Sequence, residues 1–146
     1  MTALIQRWLR ANPGQGLTAV FGELEVRMLE SLWRRGAPSS VRDVREDYPE
    51  AAYTTLMTTL DRLYRKGVLE RQRSGRAFLY KTRYTRPEME ALLTANAIDA
   101  FLRHEPDALR PALSFLVDAF GTRDHGLLDE LEALVRERRD RETHKP

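Results

Sequence analysis

The sequence predicts a mainly α fold with one small β element, an α+β chain whose two ends do different work. Three observations carry this. Apolar residues recur at helical spacing in successive segments, a stretch centred on Ser74-Gly75-Arg76 alternates like a hairpin, and charge is divided into blocks. The 146 residues are 42% hydrophobic and 32% charged, enough to build a core under a polar surface. One or two small domains fit that length.

Residues 1–20 are expected to form an N-terminal arm or extra helix. Leu4, Ile5, Trp8 and Leu9 lie at helical spacing before Asn12-Pro13-Gly14-Gln15-Gly16 breaks the pattern. A helix packed on the body and an arm reaching a partner both satisfy it. The first firm helix spans about residues 22–35. Phe21, Leu24, Met28, Leu29, Leu32 and Trp33 form its stripe, and Gly36 stops it.

Pro38-Ser39-Ser40 leads into a short helix over residues 41–48, with Ser40 as N-cap and Asp43 placed to reach back. Pro49 ends it. The third helix covers residues 52–66 and closes at Gly67. Tyr53, Leu56, Met57, Leu60, Leu63 and Tyr64 are expected to be buried. The opposite face presents Thr54, Thr55, Thr58 and Arg62, with Thr59 and Arg65 at its edges. Residues 68–73 and 77–82 read as two strands, and Gly75 can take the positive φ their turn needs. Three helices followed by a hairpin, over residues 21–86, make a winged helix-turn-helix.

After Pro87 the chain is helical again. Met89, Leu92, Leu93, Ala97 and Phe101 mark a fourth helix, and Leu109, Leu113, Leu116, Val117 and Phe120 a fifth. Leu127 or Leu128, Leu131, Leu134 and Val135 mark a sixth, which gives way to a charged tail. Three short amphipathic helices cannot all cover one another, and a second copy would complete the burial. Residues 87–140 are therefore expected to be a helical dimerisation domain. Its homodimer contact would use Leu92, Leu93, Phe101, Leu113, Leu116, Phe120, Leu131 and Leu134. Residues 141–146 are expected to be a disordered tail.

Charge points to the partner. Residues 1–52 hold 7 basic and 7 acidic side chains, residues 53–86 hold 9 and 2, and residues 87–146 hold 8 and 13. The middle block is thus +7 in a chain of net charge +2. A hydroxyl-faced helix followed by a basic hairpin fits double-stranded DNA. Thr54, Thr55 and Thr58 would face base edges, and Arg62 a phosphate or a guanine edge. Ser39 and Ser40 would offer a hydroxyl and backbone N–H groups to a phosphate. Arg73, Arg76 and Lys81 on the wing would add salt-dependent affinity. The acidic C-terminal half should lie away from the phosphates.

Other function classes are poorly supported. The absence of cysteine removes disulfides, zinc fingers and thiol catalysis. His104, His125 and His144 are scattered without metal-ligand spacing, so neither a metal site nor another cofactor is expected. Glycine-rich phosphate loops and nucleophile motifs are missing, so no catalytic residue is assigned and the chain is not read as an enzyme. Nothing has the length and apolarity of a membrane span or a secretory signal, which places the expected location in the cytoplasm.

The pieces Gly22-Glu23-Leu24-Glu25 with Leu32-Trp33, the run from Tyr53-Thr54-Thr55-Leu56-Met57 to Leu63, Lys66-Gly67, and Gly75-Arg76-Ala77-Phe78-Leu79-Tyr80 resemble the penicillinase-repressor family of winged-helix regulators, over about residues 21–84. The resemblance implies a dimeric repressor on a palindromic operator, controlling antibiotic-resistance or stress genes. It also implies a sensor protease or small-molecule inducer as a further partner. Some members are cleaved between Asn and Phe, but Ala100-Phe101 lacks that asparagine. Copper-responsive members carry paired cysteines, absent here. The alternative reading is a ligand-sensing regulator with an effector pocket between the C-terminal helices, lined by Leu92, Phe101, Leu116 and Phe120.

Overall fold

The computed structural model describes residues 17–104 and 106–144. The arm expected around Leu4, Ile5, Trp8 and Leu9 lies outside them, as do the last two residues of the tail. The chain forms two compact units divided between Phe101 and Leu102.

The first unit is a winged helix-turn-helix. Helices α1 (Leu17–Val20) and α2 (Glu23–Arg35) precede a short strand, β1 (Ser39–Ser40). Helices α3 (Val41–Asp47) and α4 (Tyr53–Arg65) follow, then strands β2 (Leu69–Ser74) and β3 (Ala77–Thr82) and the start of α5 (Arg86–His104). Phe21, Met28, Leu29, Leu56, Leu60, Leu63, Leu69 and Met89 are fully buried and form its centre. On the helices, Met28, Leu29, Leu56, Leu60, Leu63 and Met89 are positions at which the 3.6-residue period turns inward.

The helix ends are local in origin. Ser40 Oγ accepts from the Asp43 N–H at 3.2 Å while the Asp43 carboxylate accepts from the Ser40 N–H at 2.7 Å, closing a reciprocal cap. The hairpin pairs Leu69 with Thr82 and Ser74 with Ala77, leaving Gly75-Arg76 as a two-residue turn. Gly75 has φ 60°, which a glycine adopts without the penalty of a Cβ. The third strand is not anticipated by the sequence pattern. Ser39 and Ser40 pair with Tyr80 and Leu79, so the sheet order is β1-β3-β2, all antiparallel. Two residues are too few to show an alternating pattern.

A polar network joins α2 to the end of α3. Ser31 Oγ donates to the Asp47 carboxylate, Arg35 donates to it through Nε at 3.1 Å and Nη2 at 3.0 Å, and Arg34 lies 3.2 Å away. The Ser31 hydrogen bond first, and the arginines next, lower the Asp47 pKa from 3.8 to about 2. A depressed carboxylate contributes stability above its unfolded pKa and loses it as pH falls through the folded one. Between about pH 4 and pH 2 the fold is therefore expected to lose about 1–2 kcal/mol through Asp47, after screening at a group one-fifth exposed. Urea titrations at pH 7 and pH 2.5 should show that loss in the wild type. Asp47→Asn should be less stable at pH 7 and show a smaller difference between the two pH values.

The first unit extends further than the boundary expected at Pro87. Thr85 and Glu88 cap α5 reciprocally, with the Thr85 N–H donating to Glu88 at 2.8 Å. Met89 and Leu93 are then buried in the winged-helix core, and Leu92 packs against it. Of the two residues expected at a dimer contact, Leu93 is buried within its own chain and Leu92 is half-buried against the same core.

The second unit consists of a 3-10 turn (Pro106–Ala108), α6 (Leu109–Arg123) and α7 (His125–Thr143). Asp124 caps α7 by accepting from the Gly126 N–H at 2.8 Å. The two helices approach closely where a Cβ on Gly121 would stand 3.2 Å from the Leu128 side chain. Neither helix has a buried residue. The tail expected to be disordered from residue 141 is helical to Thr143. The pairs Glu132–Arg136, Glu137–Arg141 and Arg138–Glu142, each one turn apart, hold that end.

Candidate nucleic-acid interface

The nine cations of residues 53–86 fall into two groups. Arg65 and Arg71 both pair with Asp61, at 2.9 and 2.8 Å, and Lys66 pairs with buried Glu25 at 2.8 Å. Arg83 faces Glu70 at 3.8 Å, and Arg86 faces Glu30 and Glu90 at 3.5 and 3.1 Å. Among the described residues, Arg62, Arg73, Arg76 and Lys81 make no ion pair, and all four are exposed. These are the four cations that the sequence singles out for DNA. Arg62, Arg73 and Arg76 keep their full charge for an external anion, whereas Lys81 has Glu70 as its cross-strand neighbour.

Helix α4 supplies the groups beside them. Leu56, Thr59, Leu60 and Leu63 are buried, which turns Thr54, Thr55, Thr58 and Arg62 to solvent. Thr58 Oγ1 donates to the Thr54 carbonyl at 2.8 Å, so its proton is engaged while its oxygen can still accept. Thr59, expected at the edge of the exposed face, is instead inside and donates to the Thr55 carbonyl.

The two serines are placed differently from expectation. Ser39 is buried and its hydroxyl donates to the Ala37 carbonyl at 3.0 Å. The Ser40 hydroxyl is engaged by Asp43, donating at 2.8 Å as well as accepting the cap bond. The N–H and hydroxyl of Ser40 in turn hold Asp43 below the usual carboxylate range. Both hydroxyl protons are engaged, Ser39's by the Ala37 carbonyl and Ser40's by Asp43, so neither is placed to donate to a phosphate as expected.

The wing is tied to α4 by Arg71. Its guanidinium lies 4.1 Å from the Tyr64 ring and 4.2 Å from the Phe78 ring, and is paired with Asp61. Tyr64 and Asp61 belong to α4, Arg71 to β2 and Phe78 to β3, so one side chain sets the hairpin against the helix. Lys81 stands directly opposite Glu70 in the ladder, on the sheet face that alternates away from buried Tyr80. It therefore lies on the other side of the wing from Arg71 and Phe78. Arg76, in the turn, lines a groove of about 530 Å³ shared with Arg42, Tyr53, Met57 and Phe78. Sequence periodicity assigns Tyr53 and Met57 to the core, yet they are 45% and 43% exposed. Both are apolar enough to mimic core positions, and nothing local marks the difference.

No group of three or more His, Cys, Asp or Glu among the described residues is placed to hold a metal ion. No helix among them is long and apolar enough to cross a membrane.

The family model described as penicillinase repressor matches residues 21–137. Two curated relatives, each named transcriptional regulator BlaI, come from Mycobacterium tuberculosis strains CDC 1551 / Oshkosh and ATCC 25618 / H37Rv. Each is 35% identical over 122 residues, covering 70% of this chain and 88% of the relative.

Proposed function

We propose that this chain, which belongs to the penicillinase repressor family, is a transcriptional repressor that binds a palindromic operator in double-stranded DNA as a homodimer. The observation that carries the reading is the sorting of the basic segment. Arg65, Lys66 and Arg71 are paired with carboxylates of the same chain, while Arg62, Arg73 and Arg76 are exposed without an ion pair among the described residues, on α4 and the wing beside Thr54, Thr55 and Thr58. Helix α4 would enter the major groove, and the wing would lie along the backbone. Two copies of α4 about 34 Å apart would read two half-sites, one turn of the duplex from each other.

The second unit supports the dimer. Leu113, Phe115, Leu116 and Val117 on α6 and Leu127, Leu134 and Val135 on α7 are exposed. A surface this rich in large apolar side chains is suited to a matching copy. Release from the operator would come from a small-molecule inducer or a sensor protease, and the controlled genes would be antibiotic-resistance or stress genes in the same cytoplasm.

The test is salt dependence. Arg62→Ala and Arg76→Ala are expected each to weaken binding to the operator about three- to tenfold at fixed salt. Each should also flatten the plot of log K against log salt, its slope falling by about 0.9 for every phosphate the arginine had neutralised. Both are exposed, so melting temperatures should stay within about 2 °C of wild type. Unchanged affinity and slope in both variants would remove the interface.

A further inference from the structure

We propose that Tyr53 and Met57 read DNA sequence, by packing against thymine C5-methyl groups in the major groove. This rests on the DNA-binding reading above and adds which chemical feature of the bases is recognised. Tyr53 and Met57 are one helical turn apart, on the first two turns of α4. At about 100° per residue they form the flank of the helix beside Thr54 and Thr58. Leu56, Leu60 and Leu63 carry the packing of this helix, so neither Tyr53 nor Met57 is needed to hold it down.

The groove they line identifies the occupant by charge. Arg42 and Arg76 stand at the same groove, with Val41 and Phe78, and the described residues along it include no carboxylate. A cationic, acid-free rim around an apolar floor suits a polyanion that also presents small apolar groups. Duplex DNA does so in one place only, since thymine alone displays a methyl group in the major groove. The arginines would hold phosphates and leave the apolar pair facing base edges. Exposed Thr54 and Thr58 stand next to them on the same helix.

The probe is the duplex that the wild-type protein enriches from a random-sequence pool, tested by fluorescence anisotropy with dT replaced by dU one position at a time. This substitution removes only the C5-methyl. At one or two positions per half-site, dU is expected to weaken wild-type binding about fourfold per methyl, the effect of uncovering one buried carbon. Met57→Ala or Tyr53→Ala should bind the dT duplex correspondingly more weakly, lose the preference for dT over dU at those positions, and keep the wild-type salt slope. If wild type binds dU and dT duplexes equally, or if the preference persists in both variants, the inference fails while operator binding stands. If no duplex is enriched above salt-dependent background, the DNA-binding reading fails and this one with it.

Discussion

If the chain acts as the proposed dimer, replacing Leu113 and Leu134 together by glutamate is expected to make it a monomer and to weaken operator binding about a hundredfold or more. Both side chains are more than half exposed, at 54% and 56%, in a unit whose helices bury nothing of their own. The cost of the substitutions to the single chain is therefore small. A charge at each would have to be desolvated, without a partner, when two copies meet. Loss of the proposed dimer would separate its two reading heads and remove the effective concentration that one bound half-site gives the other, which is worth about 10²–10⁴ in affinity. Light scattering at micromolar concentration reads the mass, and titration of the same sample with operator DNA reads the affinity. A variant that stays dimeric would show that another surface joins the copies. One that becomes monomeric yet binds with wild-type affinity would show that one head suffices.

Lys66→Met should destabilise the first unit by about 3–5 kcal/mol, the largest stability effect expected from a single substitution here. Lys66 Nζ lies 2.8 Å from both oxygens of the Glu25 carboxylate, with only 18% of the lysine side chain and 5% of the glutamate exposed. The ammonium also stands 5.6 Å from the Phe21 ring centre. Removing the cation leaves a buried carboxylate whose hydrogen bond from the Gly22 N–H, at 3.2 Å, cannot balance its charge. A fall in melting temperature of roughly 10–25 °C follows for a unit of this size. The double variant Glu25→Leu/Lys66→Met should recover much of the loss, since an apolar pair carries no desolvation penalty. If Lys66→Met melts within about 2 °C of wild type, the pair is not buried as described.

These two effects differ in how legible they are in the sequence. The exposed leucines of α6 and α7 stand out by their period, because three short amphipathic helices have more apolar surface than partners. The Glu25–Lys66 pair does not. Its members are 41 positions apart, and each resembles an ordinary solvated charge. The same holds for Asp61, whose single carboxylate takes up both Arg65 and Arg71. Counting charges along the chain locates the cationic segment but cannot say which cations are already engaged.

Burial departs from the periodic expectation where a helix end projects beyond its support. Tyr53 and Met57 continue the apolar stripe of α4, but the first two turns of that helix stand clear of the core on one side. Leu92 and Leu93 depart in the other direction, reading as surface for a partner while lying against their own core. Periodicity reports which side of a helix is apolar, not what stands opposite it.

By itself, the order of residues determined the types of the longer elements, the stops at Gly36 and Gly67, the Ser40–Asp43 cap and a turn centred on Gly75. Each of these depends on the conformations open to a few adjacent residues, and so is written locally. The tertiary structure alone decided the third strand, the division after Phe101, the pairing of the cations and the exposure of Tyr53 and Met57. Those outcomes depend on distances between residues far apart in the chain, and burial or charge at such a place belongs to the assembled neighbourhood rather than to any one segment.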